Sequence, residues 1–156
     1  MKTEKATFGA GCFWHVEEAF RKVKGVISTK VGFTGGNIKN PSYKEVCTGE
    51  TWHAEAVQVE FDSSVISYEE LLDIFWKIHD PTSLNQQGFD IGTQYRSAIF
   101  YHNDRQKETA IKSREKLEKS KKYKNKIVTE IKPAKGFYKA EEYHQKYLEK
   151  NKLTVC

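Results

Sequence analysis

The sequence predicts an α+β protein, with helices packed on one face of a mainly antiparallel sheet. Three observations point there. Segments with strand and helix periodicity follow one another in the order β-α-β, loop, β-α, loop, β-α-β-α. The helical segments are amphipathic and carry start signals, and the strands are short and bounded by turn residues. Two stretches, 35–50 and 82–94, follow neither period and are long for connectors inside a domain. The nearest named arrangement is a two-layer sandwich with a split-βαβ (ferredoxin-like) core.

The first strand, 6–10, leads into Gly9-Ala10-Gly11-Cys12-Phe13-Trp14. A helix follows, because Phe13, Val16, Ala19, Phe20 and Val23 recur on one face, with His15, Glu17, Glu18, Arg21 and Lys22 opposite. Residues 26–33 read as a strand ended by Thr34-Gly35-Gly36. The stretch 35–50 holds Asn40-Pro41-Ser42-Tyr43 and Cys47-Thr48-Gly49, and its tyrosine and cysteine argue against disorder. Residues 54–61 form a half-apolar strand that turns Gln58 and Glu60 outward and places Glu55 on the face of Val57 and Val59. Ser67-Tyr68-Glu69-Glu70 is a capping box opening a helix with Leu71, Leu72, Ile74, Phe75 and Ile78 on its core face, stopped by His79-Asp80-Pro81. Beyond the second loop, 95–101 is a strand, and Asn103 or Asp104 caps a charged helix to about Ser120. Residues 127–131 are the last strand, and 141–148 are a short helix before a tail that ends at Cys156.

A chain of 156 residues buries a sizeable core without staples, so a single domain over 1–156 is expected, with 141–156 as its C-terminal helix and tail. No apolar run approaches a membrane span, and the polar start Met1-Lys2-Thr3-Glu4-Lys5 does not read as a signal peptide. The expected compartment is the cytoplasm. Cys12, Cys47 and Cys156 are odd in number and far apart, so they make neither a disulfide framework nor a C-x-x-C pair. The net charge of +5 is unevenly spread. Residues 1–100 carry 10 Lys+Arg against 13 Asp+Glu, and residues 101–156 carry 16 against 8. A basic last third suits a nucleic-acid or acidic partner, but more commonly marks solvated helix faces.

The glycine-flanked turn before the first helix carries the chemistry. A thiol there meets unpaired backbone N–H groups and the positive end of the helix dipole, which favour thiolate and lower the pKa from about 8.5. A buried structural cysteine beside two core aromatics accounts for the local pattern equally well. Glu55 on a buried strand face is costly unless it is paired, protonated or open to a cleft, and a frayed, solvated strand start is the alternative. His53-Ala54-Glu55 matches half of a zinc-deaminase signature, but P-C-x-x-C is absent and no metal is expected. Gly9-Ala10-Gly11 lacks both the Walker lysine and the third dinucleotide glycine. A Cys-His hydrolase using His15, His53, His79, His102 or His144 stays open on chemistry alone.

Gly9-Ala10-Gly11-Cys12-Phe13-Trp14, Asn40-Pro41-Ser42-Tyr43, Val46-Cys47-Thr48-Gly49 and His53-Ala54-Glu55 together resemble the A-type peptide methionine sulfoxide reductases. Two later strings extend the resemblance in order, nearly end to end. They are Gly88-Phe89-Asp90-Ile91-Gly92-Thr93-Gln94-Tyr95-Arg96-Ser97 and Tyr143-His144-Gln145-Lys146-Tyr147-Leu148. The resemblance implies reduction of methionine S-sulfoxide, free or in peptides and proteins, as repair of oxidised protein. It implies Cys12 as nucleophile on sulfur, Phe13 and Trp14 as an apolar wall for the methyl group, and Glu55 as the acid that protonates the oxygen. Tyr43 and Tyr95 would donate hydrogen bonds to that oxygen, with Asp90 lining the same pocket. A carboxyl group donates at neutral pH only when burial raises its pKa, which suits Glu55. Loss of the oxygen leaves Cys12 as a sulfenic acid for a second thiol to resolve. Cys47 reads as a small buried hydrophobe.

Cys156 aligns with a recycling cysteine of the family, although the glycine-rich tail that usually carries it is missing. The implied reductant is an external thiol, thioredoxin or dithiothreitol, with no bound cofactor. A monomer is expected, without nucleic-acid or membrane partners. A second departure is Thr51-Trp52-His53-Ala54-Glu55, where the family usually has glycine in the place of Trp52. The rival reading from another class is a split-βαβ module that binds RNA through its lysine-rich third, but no strand carries an RRM-type aromatic-basic string.

Overall fold

The computed structural model describes residues 2–147. Six strands form one sheet: β1 (Thr3–Ala10), β2 (Val26–Thr34), β3 (Ala54–Asp62), β6 (Ser97–Tyr101), β7 (Glu130–Pro133) and β8 (Tyr138–Lys139). Their order is β7-β6-β1-β3-β2-β8, and among the described residues only the β6–β7 pair is parallel. The four inner strands have the order of a split-βαβ core, with α1 (Phe13–Arg21) between β1 and β2 and α3 (Tyr68–Lys77) between β3 and β6. A fourth helix, α4 (Asp104–Lys119), leads to the added strand β7. The expected α+β sandwich is what forms.

Alternation along the strands decides which face the helices cover. Ala6, Phe8 and Ala10 of β1, Val31 and Phe33 of β2, and Val57, Val59 and Phe61 of β3 join one core cluster with residues of α1 and α3. Phe8 is its pivot. Its ring stacks on Phe20 of α1 and on Phe75 of α3, each at 5.2 Å between centroids. The opposite face is thinner, with Ala54, Ala98 and Phe100 packed against Ala134. The Ser67 capping box is present, with Ser67 Oγ accepting from the Glu70 N–H and Glu70 Oε1 accepting from the Ser67 N–H.

Several local expectations are corrected. The long stretch after β2 contains a one-turn helix, α2 (Tyr43–Val46), opened by a second capping box between Ser42 and Glu45. The second loop folds as a small hairpin of β4 (Gln86–Gln87) and β5 (Asp90–Ile91). Tyr95 ends a 3₁₀ turn (Thr93–Tyr95) instead of starting β6. The last long strand falls at Glu130–Pro133, because only there does the chain pair alongside β6. In place of a helix over 141–148 there is a 3₁₀ turn, Glu142–His144, and residues 148–156, with Cys156, lie outside the described residues. Glu17, read from helical spacing as solvent-facing, is fully buried because the C-terminal segment covers that side of α1.

Candidate active site

The end of β1, the start of α1 and the 3₁₀ turn before β6 meet at one place. Cys12 is the N-cap residue of α1, one position ahead of the expected first turn, and its carbonyl accepts from the N–H groups of His15 and Val16. The chain reaches it through Gly11 at φ +94°, where a β-carbon would lie 2.9 Å from Gln87 Cγ in the β4–β5 hairpin. A side chain there would be strained in the backbone and would push the hairpin off the site. Cys12 itself is partly exposed.

Glu55 lies opposite Phe33 in the β2–β3 register and is 1% exposed, so the buried-face reading of its position holds over the frayed-end alternative. The N–H of Phe13, the first residue of α1, donates to Glu55 Oε1 at 3.2 Å. One helix N-terminus therefore carries the thiol and holds the carboxyl. This uses the unpaired N–H groups that every helix start offers.

Aromatic side chains close one side. Phe13 is buried against Phe33, and its ring lies 6.0 Å from Tyr43 and 6.5 Å from Trp14. Tyr43, the first residue of α2, has its backbone N–H on the Glu141 carboxylate. Burial, then the charge of Glu55, pushes the Tyr43 phenol up. Burial pushes Tyr95 up as well, helped by Glu55, Cys47, Asp90 and Cys12. Both phenols stay protonated and can donate. Both phenols thus feel the charge of Glu55, and Tyr95 also feels Asp90 and Cys12. Cys47 is exposed at this site, and the expectation of a buried hydrophobe fails because α2 ends there and turns it outward.

Other residues are bracing. His53 is buried, with Nδ1 accepting from the Gly36 N–H and Nε2 donating to the Ile38 carbonyl, so it ties two loops together. Gln94 is buried and donates from Nε2 to the Cys47 carbonyl, and Thr93 Oγ1 donates to the Gly49 carbonyl. These bonds fasten the Tyr95 turn to the loop after α2. Trp52, in the family's glycine position, has φ +62° and is 55% exposed. It borders a cleft of about 720 Å³ on the opposite sheet face, lined also by Arg96, Phe100, Glu130 and Tyr138 and away from Cys12. Sequence reasoning missed the contact of His144 with Trp14, since His144 entered it only as one of five candidate bases for Cys12 and as a letter of a matching string.

One helix start thus carries a thiol and holds a buried carboxyl, with two protonated phenols nearby. Comparison with known proteins supplies the chemistry. The family model described as peptide methionine sulfoxide reductase matches residues 4–156, and the chain belongs to that family of oxidoreductases. The peptide methionine sulfoxide reductase MsrA of Methanothermobacter thermautotrophicus is 63% identical over 153 residues, covering 98% of this chain and 90% of the relative. The reduced form of Mxr1 from Saccharomyces cerevisiae superposes with a TM-score of 0.92 at 43% identity, over 99% of this chain and 89% of that one. The same yeast protein in complex with Trx2 matches with a TM-score of 0.66 at 30% identity, over 94% of this chain and 85% of that one.

Proposed function

We propose that this reductase acts on the S epimer of methionine sulfoxide, free or in peptides and proteins, with Cys12 as nucleophile and Glu55 as proton donor. The observation that carries this is the hydrogen bond from the Phe13 N–H to Glu55, which sets the acid beside the thiol. A sulfoxide sulfur is a poor electrophile until its oxygen receives a proton or strong hydrogen bonds. Burial disfavours a carboxylate charge, and the phenols of Tyr43 and Tyr95 add two donors. Phe13 and Trp14 hold the methyl group, and Asp90 lines the pocket.

The Cys12 sulfur attacks the sulfoxide sulfur, whose oxygen takes the proton of Glu55. The oxygen ends on Cys12 as a sulfenic acid, the substrate leaves as methionine, and the sulfide sulfur has gained the electron pair that the cysteine gave up. A second thiol then displaces hydroxide, which leaves as water, and a disulfide forms. We assign that thiol to Cys156, outside the described residues, and the final reductant to a thioredoxin-type dithiol, replaceable by dithiothreitol. The yeast relative's complex with Trx2 supports the reductant.

We further infer a single catalytic domain, since one sheet takes strands from Thr3 to Lys139, and a cytoplasmic monomer, for which sedimentation tests the oligomeric part. The enzymatic test is Cys12→Ser, which abolishes methionine formation with dithiothreitol while leaving the fold intact. For recycling, one equivalent of substrate without reductant followed by peptide mapping gives a Cys12–Cys156 disulfide. A persistent Cys12 sulfenic acid with reduced Cys156 would remove Cys156 from the cycle and leave the reductase reading standing.

A further inference from the structure

The string Tyr143-His144-Gln145-Lys146-Tyr147 has no part in the chemistry above, yet it is fastened directly to the nucleophile's helix. The Gln145 side chain imitates a strand, with Oε1 accepting from the Val31 N–H at 2.9 Å and Nε2 donating to the Val31 carbonyl at 3.0 Å. Glu17 of α1 accepts the Lys146 N–H and the Thr29 hydroxyl. Between these anchors the Trp14 indole N–H donates to His144 Nδ1 at 3.0 Å.

The last contact defines a protonation state. An indole nitrogen is only a donor, so Nδ1 must present its lone pair and the imidazole is neutral, with its proton on Nε2. His144 is buried, with Tyr43 at 4.2 Å and Tyr143 at 4.0 Å between ring centroids, and with Phe13 and Trp14 beyond. Tyr147 stacks on Trp14 at 3.8 Å. That stack restrains the plane of the indole but does not select its rotation within the plane or its flip about χ2, a torsion that is broad and roughly two-fold. The hydrogen bond to His144 does select them.

We propose that His144 is a positioning residue of this reductase: its neutral imidazole, through Nδ1, holds Trp14 in the one orientation that completes the substrate's apolar wall, and protonation of His144 releases it. The proposal rests on Trp14 belonging to that wall. The imidazolium would turn a second donor on the indole N–H. Among the groups around His144, α1 offers the uncharged Phe13 and Trp14, α2 offers the Tyr43 phenol, and its own segment offers Tyr143 and the Glu141 carboxylate. Burial holds its pKa below the ordinary value of about 6.5, with Glu141 opposing. The release therefore falls on the acid side of neutrality.

The test compares the intact enzyme with His144→Asn, whose Oδ1 takes the place of Nδ1 and cannot titrate, and with His144→Phe, a ring without an acceptor. KM and kcat for free methionine sulfoxide are measured from pH 5 to 8, alongside tryptophan fluorescence without substrate, with Trp14→Phe as the blank. In the unmodified enzyme KM rises about two- to tenfold on acidification, the worth of one neutral hydrogen bond, while kcat changes less. A fluorescence step occurs over the same pH range and is absent from the Trp14→Phe protein. His144→Asn retains the neutral-pH KM and loses the acid step, and His144→Phe shows the raised KM at every pH. An unchanged KM in His144→Phe, or an acid step that survives in His144→Asn, would overturn the proposal. If KM is also normal in Trp14→Phe, the wall reading has failed; if it is raised there, only the positioning role has.

Discussion

The backbone N–H of Phe13 donates to Glu55 Oε1 at 3.2 Å, so a single bond aligns the helix of the thiol with the strand of the acid. Glutamine at position 55 keeps an oxygen for that bond and loses the transferable proton. Glu55→Gln is therefore expected to fold normally, to lower kcat by about 10²–10⁴-fold, and to flatten the pH–rate limb that belongs to the acid. Full activity in that variant across pH would place the proton donor elsewhere.

Tyr43 and Tyr95 approach the same space from different elements, α2 and the turn before β6. Two donors to one oxygen partly cover for each other, so Tyr43→Phe and Tyr95→Phe should each cost little and the double variant much more than their sum. A kinetic double-mutant cycle measures this, and strict additivity would mean the phenols do not share that oxygen.

Trp52 occupies left-handed backbone at φ +62°, which costs a residue with a β-carbon about 1–2 kcal/mol. Trp52→Ala keeps the strain and loses contacts, whereas Trp52→Gly removes the strain. Denaturant unfolding should find the glycine variant more stable than the alanine variant by about 1 kcal/mol, against the usual order. Equal stabilities would show that the loop carries no strain at this position.

His79 gives the fold an acid-sensitive joint. It follows the Ile78 C-cap of α3, with Nδ1 donating to the Phe75 carbonyl and Nε2 accepting from Ser97, which also bonds Thr129 ahead of β7. Burial pushes its pKa down to about 4. An unfolded histidine titrates near 6.5, so between those values the unfolded chain binds more protons, and this contribution is complete above about pH 6.5 and fades as pH falls toward 4. About 2 kcal/mol of stability is lost from this group between pH 7 and pH 5. His79→Leu starts less stable at pH 7 but shows a shallower acid slope in denaturant midpoints, and an unchanged slope would assign the sensitivity to other groups.

What the sequence by itself determined was local. The Ser67–Glu70 box starts a helix whatever surrounds it, a period of two puts Glu55 on the face of Val57 and Val59, and glycines around Cys12 mark a turn before a helix. The matching strings named the chemistry. Some signals were present and too short to read, such as the Ser42–Glu45 box over the single turn of α2. Only the tertiary structure decided who covers whom. Helical spacing left Glu17 facing solvent until the segment around Lys146 closed over it, and Cys47 read as a buried hydrophobe until the end of α2 turned it outward. β8 is two residues that count as a strand only because β2 has an open edge for them. Trp14 and His144 are 130 positions apart, and no local period relates them. Propensities and caps act over one or two turns of chain, whereas burial and the partner of a polar atom are set by whichever distant segment packs there.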